Sequence, residues 1–341
     1  MQIQENISLK RYNTFGIDVN AKQFAIFSQL ADLEELLHGL TPSTGQALPL
    51  LILGGGSNVL FTGNFNRLVL KNNLLGIELV REDNQYYYVK AGAGENWHGL
   101  VMHCINQGYA GLENLSLIPG CAGASPMQNI GAYGVEIKDV FECLEAYHIY
   151  EKTTVQFNLG DCRFGYRESV FKSTYKGQFV ILNVTFKLRK QPVYHTAYGA
   201  IEQELESMGV QTLDIKSISQ AVINIRSSKL PNPADIGNAG SFFKNPQIPA
   251  EQYSLLKQQY PNIPGYPAED GFVKVAAGWL IEQCGWKGYR HGDAGVHAKQ
   301  ALVLVNYGKA TGTELFGLST KIINSVEATF GITLEREVNV Y

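Results

Sequence analysis

The sequence predicts a protein of mixed α-helices and β-strands in two or three domains, and it argues against a doubly wound dinucleotide fold. Three observations predict this. Short apolar strands are interleaved with amphipathic helices along the whole chain. Glycine, at 35 of 341 residues, gathers in loops that directly follow strands. The one strand-to-glycine turn with a dinucleotide-binding look fails that pattern's spacing. A chain of this length can bury a sizeable core and divide it.

The elements follow in order. Residues 11–20, Arg-Tyr-Asn-Thr-Phe-Gly-Ile-Asp-Val-Asn, read as a loop with an anchoring aromatic. Residues 29–38 read as a helix with Leu30, Leu33, Leu36 and Leu37 on one face and Gly39 just past its end. Leu48 to Leu53 is a short apolar strand running straight into Gly54-Gly55-Gly56-Ser57-Asn58. The doubly wound fingerprint requires G-x-G-x-x-G opening a helix. Position 59 is Val, and Val59-Leu60-Phe61 and Leu68-Val69-Leu70 have strand character, so that reading fails. Two readings remain: a loop whose N–H groups and Ser57 and Asn58 side chains cradle a phosphate, or a plain β-turn. Tyr86 to Ala91 is a strand ending in Gly92-Ala93-Gly94-Glu95-Asn96. A helix follows with Trp97, Leu100, Val101, Cys104 and Ile105 on its apolar side, closed by Gly108.

The stretch from Ile118 to Gly134 holds Gly120, Gly123, Gly131, Gly134 and two prolines. Ser125-Pro126 predicts a helix start with Ser at the N-cap, and Gly131 and Gly134 keep that helix short. Free N–H groups at such a start suit a phosphate or pyrophosphate; an ordinary glycine-rich connection is the alternative. Residues 140–150 and 179–188 read as strands, separated by Cys162-Arg163-Phe164-Gly165-Tyr166-Arg167-Glu168-Ser169. After Gln191-Pro192 the character changes, and a domain boundary is placed there. Residues 199–208, 216–226, 249–260, 275–284 and 313–330 read as helices, the last stopped by Gly331. A loop from Arg226 through Lys229 to Pro233 leads to Gly237-Asn-Ala-Gly240-Ser241-Phe-Phe-Lys244-Asn245-Pro246. Gln300 to Asn306 and Ile332 to Tyr341 read as strands.

Composition excludes several classes. The 28 Lys+Arg against 31 Asp+Glu argue against nucleic-acid binding. No apolar run is long enough to cross a membrane, and the polar start lacks a signal-peptide core. Cys104, Cys121, Cys143, Cys162 and Cys284 are widely spaced with no C-x-x-C pair, so they read as reduced, in a cytoplasmic protein. The seven histidines form no metal-ligand spacing, and no metal is expected.

Three constellations could carry chemistry. In the last strand, period two puts Glu335 and Glu337 on one face, roughly 6–7 Å apart. If buried, such a like-charge pair raises a carboxyl pKa; a solvated strand face is the alternative. Ser241 lies in a glycine loop without the G-x-S-x-G elbow of a hydrolase. It is either a turn residue or a proton donor to carbon. Arg167 and Lys229, in polar loops, suit a carboxylate or phosphate, or a surface salt bridge.

Together the motifs closely resemble the UDP-N-acetylenolpyruvoylglucosamine reductase family. The matching residues are Asn13-Thr-Phe-Gly-Ile-Asp18, Leu53 to Asn58, Gly92 to Trp97, Ile118 to Gly134, Cys162 to Ser169, Gly237 to Pro246 and Leu334 to Val338, in the family's order across nearly the whole chain. The resemblance implies an α+β protein with an FAD-binding fold of the vanillyl-alcohol-oxidase (PCMH) type in two subdomains, residues 1–72 and 73–190. It also implies an α+β substrate-binding domain over residues 191–341 that closes over the substrate. It implies non-covalent FAD held by Gly54, Gly55, Gly56, Ser57, Asn58, Ile118, Pro119, Gly120, Gly123, Ala124, Ser125, Gln128, Asn129 and Gly131. NADPH would reduce the flavin and leave. Flavin N5 would then give hydride to the β-carbon of the enolpyruvyl group of UDP-N-acetylglucosamine enolpyruvate, yielding UDP-N-acetylmuramate for peptidoglycan. Ser241 matches the proton donor to the α-carbon, and Arg167 and Glu337 match its catalytic partners. Tyr133, Tyr198, Lys229, Asn245 and Gln300 match substrate-contacting positions. His195-Thr-Ala-Tyr198-Gly199 fits the family's class with a tyrosine-bearing substrate loop. A monomer whose partners are the UDP-sugar and NADPH is expected. The chain departs from the family in stopping four residues after Glu337. Another flavin oxidase of the same superfamily would share the FAD loops but not the set Ser241, Lys229 and Glu337. A non-catalytic sugar-nucleotide binder would not need Ser241 or Glu337.

Overall fold

The computed structural model describes residues 2–38, 50–198, 200–268 and 270–341. Contacts divide them into two compact units. The first comprises residues up to Ile7, Ala21–Gly55 and Asn66–Ser228; the second comprises Ser8–Asn20, Gly56–Phe65 and Lys229–Tyr341.

In the first unit a five-stranded antiparallel sheet runs in the order Thr153–Asn158, Phe141–His148, Phe179–Arg189, Tyr86–Gly92, Ile77–Glu82. Its strand Phe179–Arg189 is apolar on both faces because both are covered. On one side lies the helix Trp97–Gln107, as expected, with Asn96 at its N-cap and Gly108 closing it in the left-handed region. Trp97 packs edge-on to Phe186 and donates its indole N–H to Leu115 O at 2.9 Å. On the other side a second core joins Leu33, Leu36 and Leu37 of the helix Leu30–His38 to Phe27, Leu68 and Leu70, and to Tyr147, Val180 and Leu182 of the sheet. A four-stranded sheet supplies Phe27 and Leu68, with Leu50–Leu53 parallel to Phe65–Asn72. Gly39, Leu48 and Pro49 of the expected helix end and strand start lie outside the described residues. The strand Asn20–Phe27 begins where a loop was expected to end.

The helices Ile201–Ser207 and Ile215–Lys229 pack on each other in this unit through Ile201, Leu205, Val222 and Ile225. The second of these corrects the sequence reading: Arg226 to Lys229 are the last helical turn and not a loop. The serines Ser227 and Ser228 suggest a turn, but the apolar face of Ile218, Ala221, Val222 and Ile225 carries the helix through them.

In the second unit an antiparallel sheet orders Gly237–Ser241, Val303–Asn306, Ala294–Val296, Arg290–His291. The helix Gly312–Phe330 has the expected extent. Thr311 and Glu314 form a capping box at its start, and Gly331 ends it with φ of 63°. Asn13 and Phe15 anchor the first loop. Asn13 Nδ2 donates to Leu9 O and Ile17 O, and Phe15 is buried against Phe242. The expected strand from Ile332 is short: only Asn339–Val340 is a strand, parallel to Val59–Leu60. Tyr341 O accepts from Thr62 N at 2.7 Å, and its ring packs on Phe61 and Phe65.

Candidate functional site

Backbone meets backbone at the two glycine loops of the first unit. A side chain on Gly55 would put its Cβ 2.9 Å from Gly120 Cα, and one on Gly54 would sit 3.7 Å from Cys121 Cβ. Gly120 has φ of 124°, open to glycine alone. Beneath it, Gly92 to Trp97 form the supporting layer: Trp97 N donates to Gly120 O, Ala122 N to Glu95 O, and Gly123 N to Ala93 O. Glycines packed this closely leave backbone bare of side chains, which permits close approach of a ligand.

The expected helix start at Ser125 is corrected in part. Pro126 does take the first position, but of a single 3-10 turn, Pro126–Gln128. Ser125 does not cap it. Its hydroxyl turns back to Ala122 O at 2.7 Å, because an earlier turn, Ala122–Ala124, already bends the chain. The N–H groups of Ala122, Gly123, Ala124 and Ser125 all donate to carbonyls. These four therefore offer a ligand close backbone approach rather than free donors.

Asn129, Gly131 and Arg167 are tied together. Asn129, with φ of 45°, donates from Nδ2 to Glu136 Oε2 at 3.0 Å and to Gly165 O at 3.2 Å. Arg167, also left-handed with φ of 56°, donates to Gly131 O at 2.9 Å. Ser169 Oγ donates to Met127 O, and Lys172 Nζ to Arg167 O. The guanidinium of Arg167 is thus aimed by both loops. Beside them, Tyr133 meets Tyr198 edge-on at 6.5 Å, and Gly134 leaves room for the Tyr198 side chain. Gly199 lies outside the described residues.

Cys121 sits against Gly54 and Gly55. Burial pushes its thiol above the usual range, which disfavours the thiolate and a nucleophilic or redox role. Among the described residues all five cysteines are free thiols, and no group of His, Cys, Asp and Glu could hold a metal.

In the second unit, Gly56 has φ of 64°, and a Cβ there would meet Tyr12 O at 1.9 Å. Asn58 Nδ2 donates to Glu337 O, while Asn339 N and Nδ2 donate to Asn58 O. Ser241 ends the strand Gly237–Ser241 at a bulge. Buried Asn238 shapes that bulge by accepting from Gly240 N on Oδ1 and donating to Pro231 O and Ile236 O. The bulge turns Ser241 outward while Phe242 and Phe243 go into the core. Glu337 N donates to Phe242 O at 2.8 Å, so the segment carrying Glu337 lies beside Ser241.

The expected carboxylate pair is not one. Glu335 is exposed and held by Lys244 Nζ at 2.6 Å, whereas Glu337 is half-buried, because the segment is irregular rather than a strand of period two. Asn245 Oδ1 accepts from Ala277 N at the start of the helix Ala277–Gln283, and Gln300 Oε1 lies against Gly278 in the same turn. Lys229 is exposed at the end of its helix.

The sequence reading missed two residues of note. Arg226 is part-buried, with Nε donating to Leu117 O and no carboxylate partner among the described residues. Burial holds its guanidinium below the usual arginine range. Its spacing from Val222 and Ile225 was the available signal. Asn114 is the other.

Comparison with known proteins defines the class first. Residues 25–153 match the family described as FAD binding domain, and residues 232–341 match the family described as UDP-N-acetylenolpyruvoylglucosamine reductase, C-terminal domain. The fold is that of a solved structure of UDP-N-acetylenolpyruvylglucosamine reductase from Thermus caldophilus. That structure has a TM-score of 0.69 at 23% identity, over 100% of this chain and 99% of that one. The protein is therefore an α+β oxidoreductase with an FAD-binding domain. Its relatives include the UDP-N-acetylenolpyruvoylglucosamine reductases of Amoebophilus asiaticus, 52% identical over 340 residues, and Pseudomonas savastanoi pv. phaseolicola, 52% identical over 341. Each match covers 100% of this chain and 99% of the relative. The chain belongs to the UDP-N-acetylenolpyruvoylglucosamine reductase family. Among the described residues no helix is long and apolar enough to cross a membrane.

Proposed function

We propose that the protein reduces UDP-N-acetylglucosamine enolpyruvate to UDP-N-acetylmuramate, with NADPH as donor and non-covalent FAD as carrier, in peptidoglycan precursor synthesis. The observation that carries this reading is the bulge at Gly240. It presents a serine hydroxyl beside the segment bearing Glu337, in a chain whose close-packed glycine loops suit FAD. Bound FAD would supply hydride transfer, from NADPH to the enolpyruvyl group.

This chain's residues do the rest. Gly54, Gly55, Gly56, Ser57 and Asn58 hold the cofactor with Ile118, Pro119, Gly120, Gly123, Ala124, Ser125, Gln128, Asn129 and Gly131. Charge develops next to the substrate carboxylate as hydride arrives, and Arg167 supplies a fixed cation against it. Ser241 then gives its proton to the α-carbon, completing addition of hydride and proton across the C=C bond. Glu337 is the acid–base partner in that step. Tyr133, Tyr198, Lys229, Asn245 and Gln300 bind the sugar nucleotide. Functionally we assign residues 1–72 and 73–190 to the cofactor and 191–341 to the substrate. We propose a cytoplasmic monomer.

An anaerobic absorbance scan tests the reading. The flavin band bleaches on addition of NADPH and recovers on addition of the enolpyruvyl sugar nucleotide. Recovery only with oxygen points to an oxidase, and a colourless protein to a sugar-nucleotide binder.

A further inference from the structure

We propose that Asn114 is a positioning residue for the substrate: it sets the Tyr133–Tyr198 pair from behind without touching the ligand. The inference rests on the reading of those two tyrosines as substrate contacts. Asn114 is 1% exposed. A carboxamide has two N–H donors, and Asn114 Nδ2 donates to Tyr133 O at 2.9 Å and to His195 O at 2.8 Å. One side chain thus joins two segments that are 19 and 81 residues away along the chain.

Both segments need such a tie. Tyr133 has φ of 51°, a left-handed conformation that a non-glycine residue holds only when its surroundings impose it. Residues 193–198 are in neither helix nor strand. Among the described residues, hydrogen bonds hold them to the rest of the chain through His195 O and through an exposed 3.3 Å bond from Thr196 to Glu202. Tyr198, three residues past His195, is 54% exposed and meets Tyr133 edge-on. Asn114 itself is held by its surroundings. It lies in the buried turn Glu113–Leu115, where Leu115 N donates to Leu112 O, Ser116 Oγ to Glu113 O and the Trp97 indole to Leu115 O. A rigid turn therefore fixes two donors before ligand arrives, so the loop's ordering cost is met in advance.

The test uses the FAD-loaded enzyme carrying Asn114→Ala, with Asn114→Asp as the isosteric variant should the first fail to fold. Tyr198→Phe is the control for the loop itself. Affinity for the enolpyruvyl sugar nucleotide, the limiting rate of flavin reoxidation at saturation, and amide exchange over residues 193–198 are measured. We expect exchange there to accelerate and affinity to fall about tenfold or more for two lost backbone bonds. The limiting rate should stay within about twofold, since no reacting atom is moved. Asn114→Asp should recover part of the affinity as pH falls and its carboxyl regains one donor. If Tyr198→Phe weakens binding while neither Asn114 variant does, the positioning role is wrong. If none of the three weakens binding, the reading of the tyrosines as substrate contacts falls with it.

Discussion

Replacing Gly55 by Ala tests the packing of the two glycine loops most directly, because Gly54 in the same loop supplies its control. The added Cβ at position 55 lies 2.9 Å from Gly120 Cα, 3.2 Å from Gly120 C and 3.5 Å from Cys121 Sγ. Carbon atoms in contact settle at about 3.5–4.0 Å, so the loops must part by roughly 0.6–1 Å. Gly120 cannot easily give way: its φ is 124° and its carbonyl is held by Trp97 N at 3.0 Å. Overpacking of this kind costs about 1–3 kcal/mol. At about 2–4 °C per kcal/mol, the apoprotein should melt roughly 2–12 °C lower. If bound FAD requires the native spacing of the loops, its dissociation constant should rise about tenfold for each 1.4 kcal/mol of that strain. The Cβ of Gly54→Ala would sit 3.7 Å from Cys121 Cβ, an ordinary contact, so its apoprotein should melt within about 2 °C of the parent. Calorimetry of the two apoproteins and flavin fluorescence titration measure both effects. A Gly54→Ala apoprotein less stable than Gly55→Ala would refute the reasoning, since the order rests on those contact distances alone.

Ser241→Ala should keep flavin reduction by NADPH while reoxidation by the sugar nucleotide slows by about 100-fold or more, as followed by anaerobic stopped flow; normal turnover would remove the serine as proton donor. Tyr198→Phe should raise KM several-fold and leave kcat near the parent value, and an unchanged KM would argue against the loop's role. Glu113 concerns pH. It is 1% exposed, and burial raises its carboxyl pKa against the opposing N–H of Gly111 at 2.7 Å and the nearby His195. A raised carboxyl pKa favours the folded state when protonated, so stability falls as pH climbs from the unfolded value through the folded one. Glu113→Gln keeps an acceptor for Gly111 N–H without the charge. It should flatten that fall and raise the melting temperature most at the upper end of the range, read by melting across pH 4 to 8; a steeper fall would contradict the sign.

Much of this was legible because it is written in local pattern. Leu30–His38, Trp97–Gln107 and Gly312–Phe330 show apolar stripes of helical period with glycine or a capping pair at their ends. The central strands Tyr86–Gly92 and Phe179–Arg189 are apolar enough to be seen without their neighbours. Two of the strands that were not read show why. Ile77–Glu82 is mostly exposed and has lost its alternation, and Gly237–Ser241 carries two glycines and no large apolar side chain to alternate. Tertiary pairing makes both into strands, through Tyr86–Gly92 in one case and Val303–Asn306 in the other.

The candidate site was read only through its motifs. The residues proposed to react can be picked out there by residue type, whereas the buried asparagines that order the loops around them look like turn formers in a sequence. Asn13 gathers the first loop, Asn72 holds Ile181 O, and Asn129 ties Glu136 to Gly165. Asn238 shapes the bulge that turns Ser241 outward, and Asn306 receives Gly308 and Ala310 while donating to Phe15 O. Each spends a carboxamide on backbone groups of loops that neither helix nor sheet can satisfy, and leaving those groups unpaired in the interior would cost about 1–3 kcal/mol apiece. A chain with this much glycine in its ligand loops gains close approach and loses stiffness. The asparagines restore that stiffness through bonds to backbone: Asn238, inside the Ser241 motif, shapes the bulge there, and Asn114, outside the motifs, is tied to Tyr133 O.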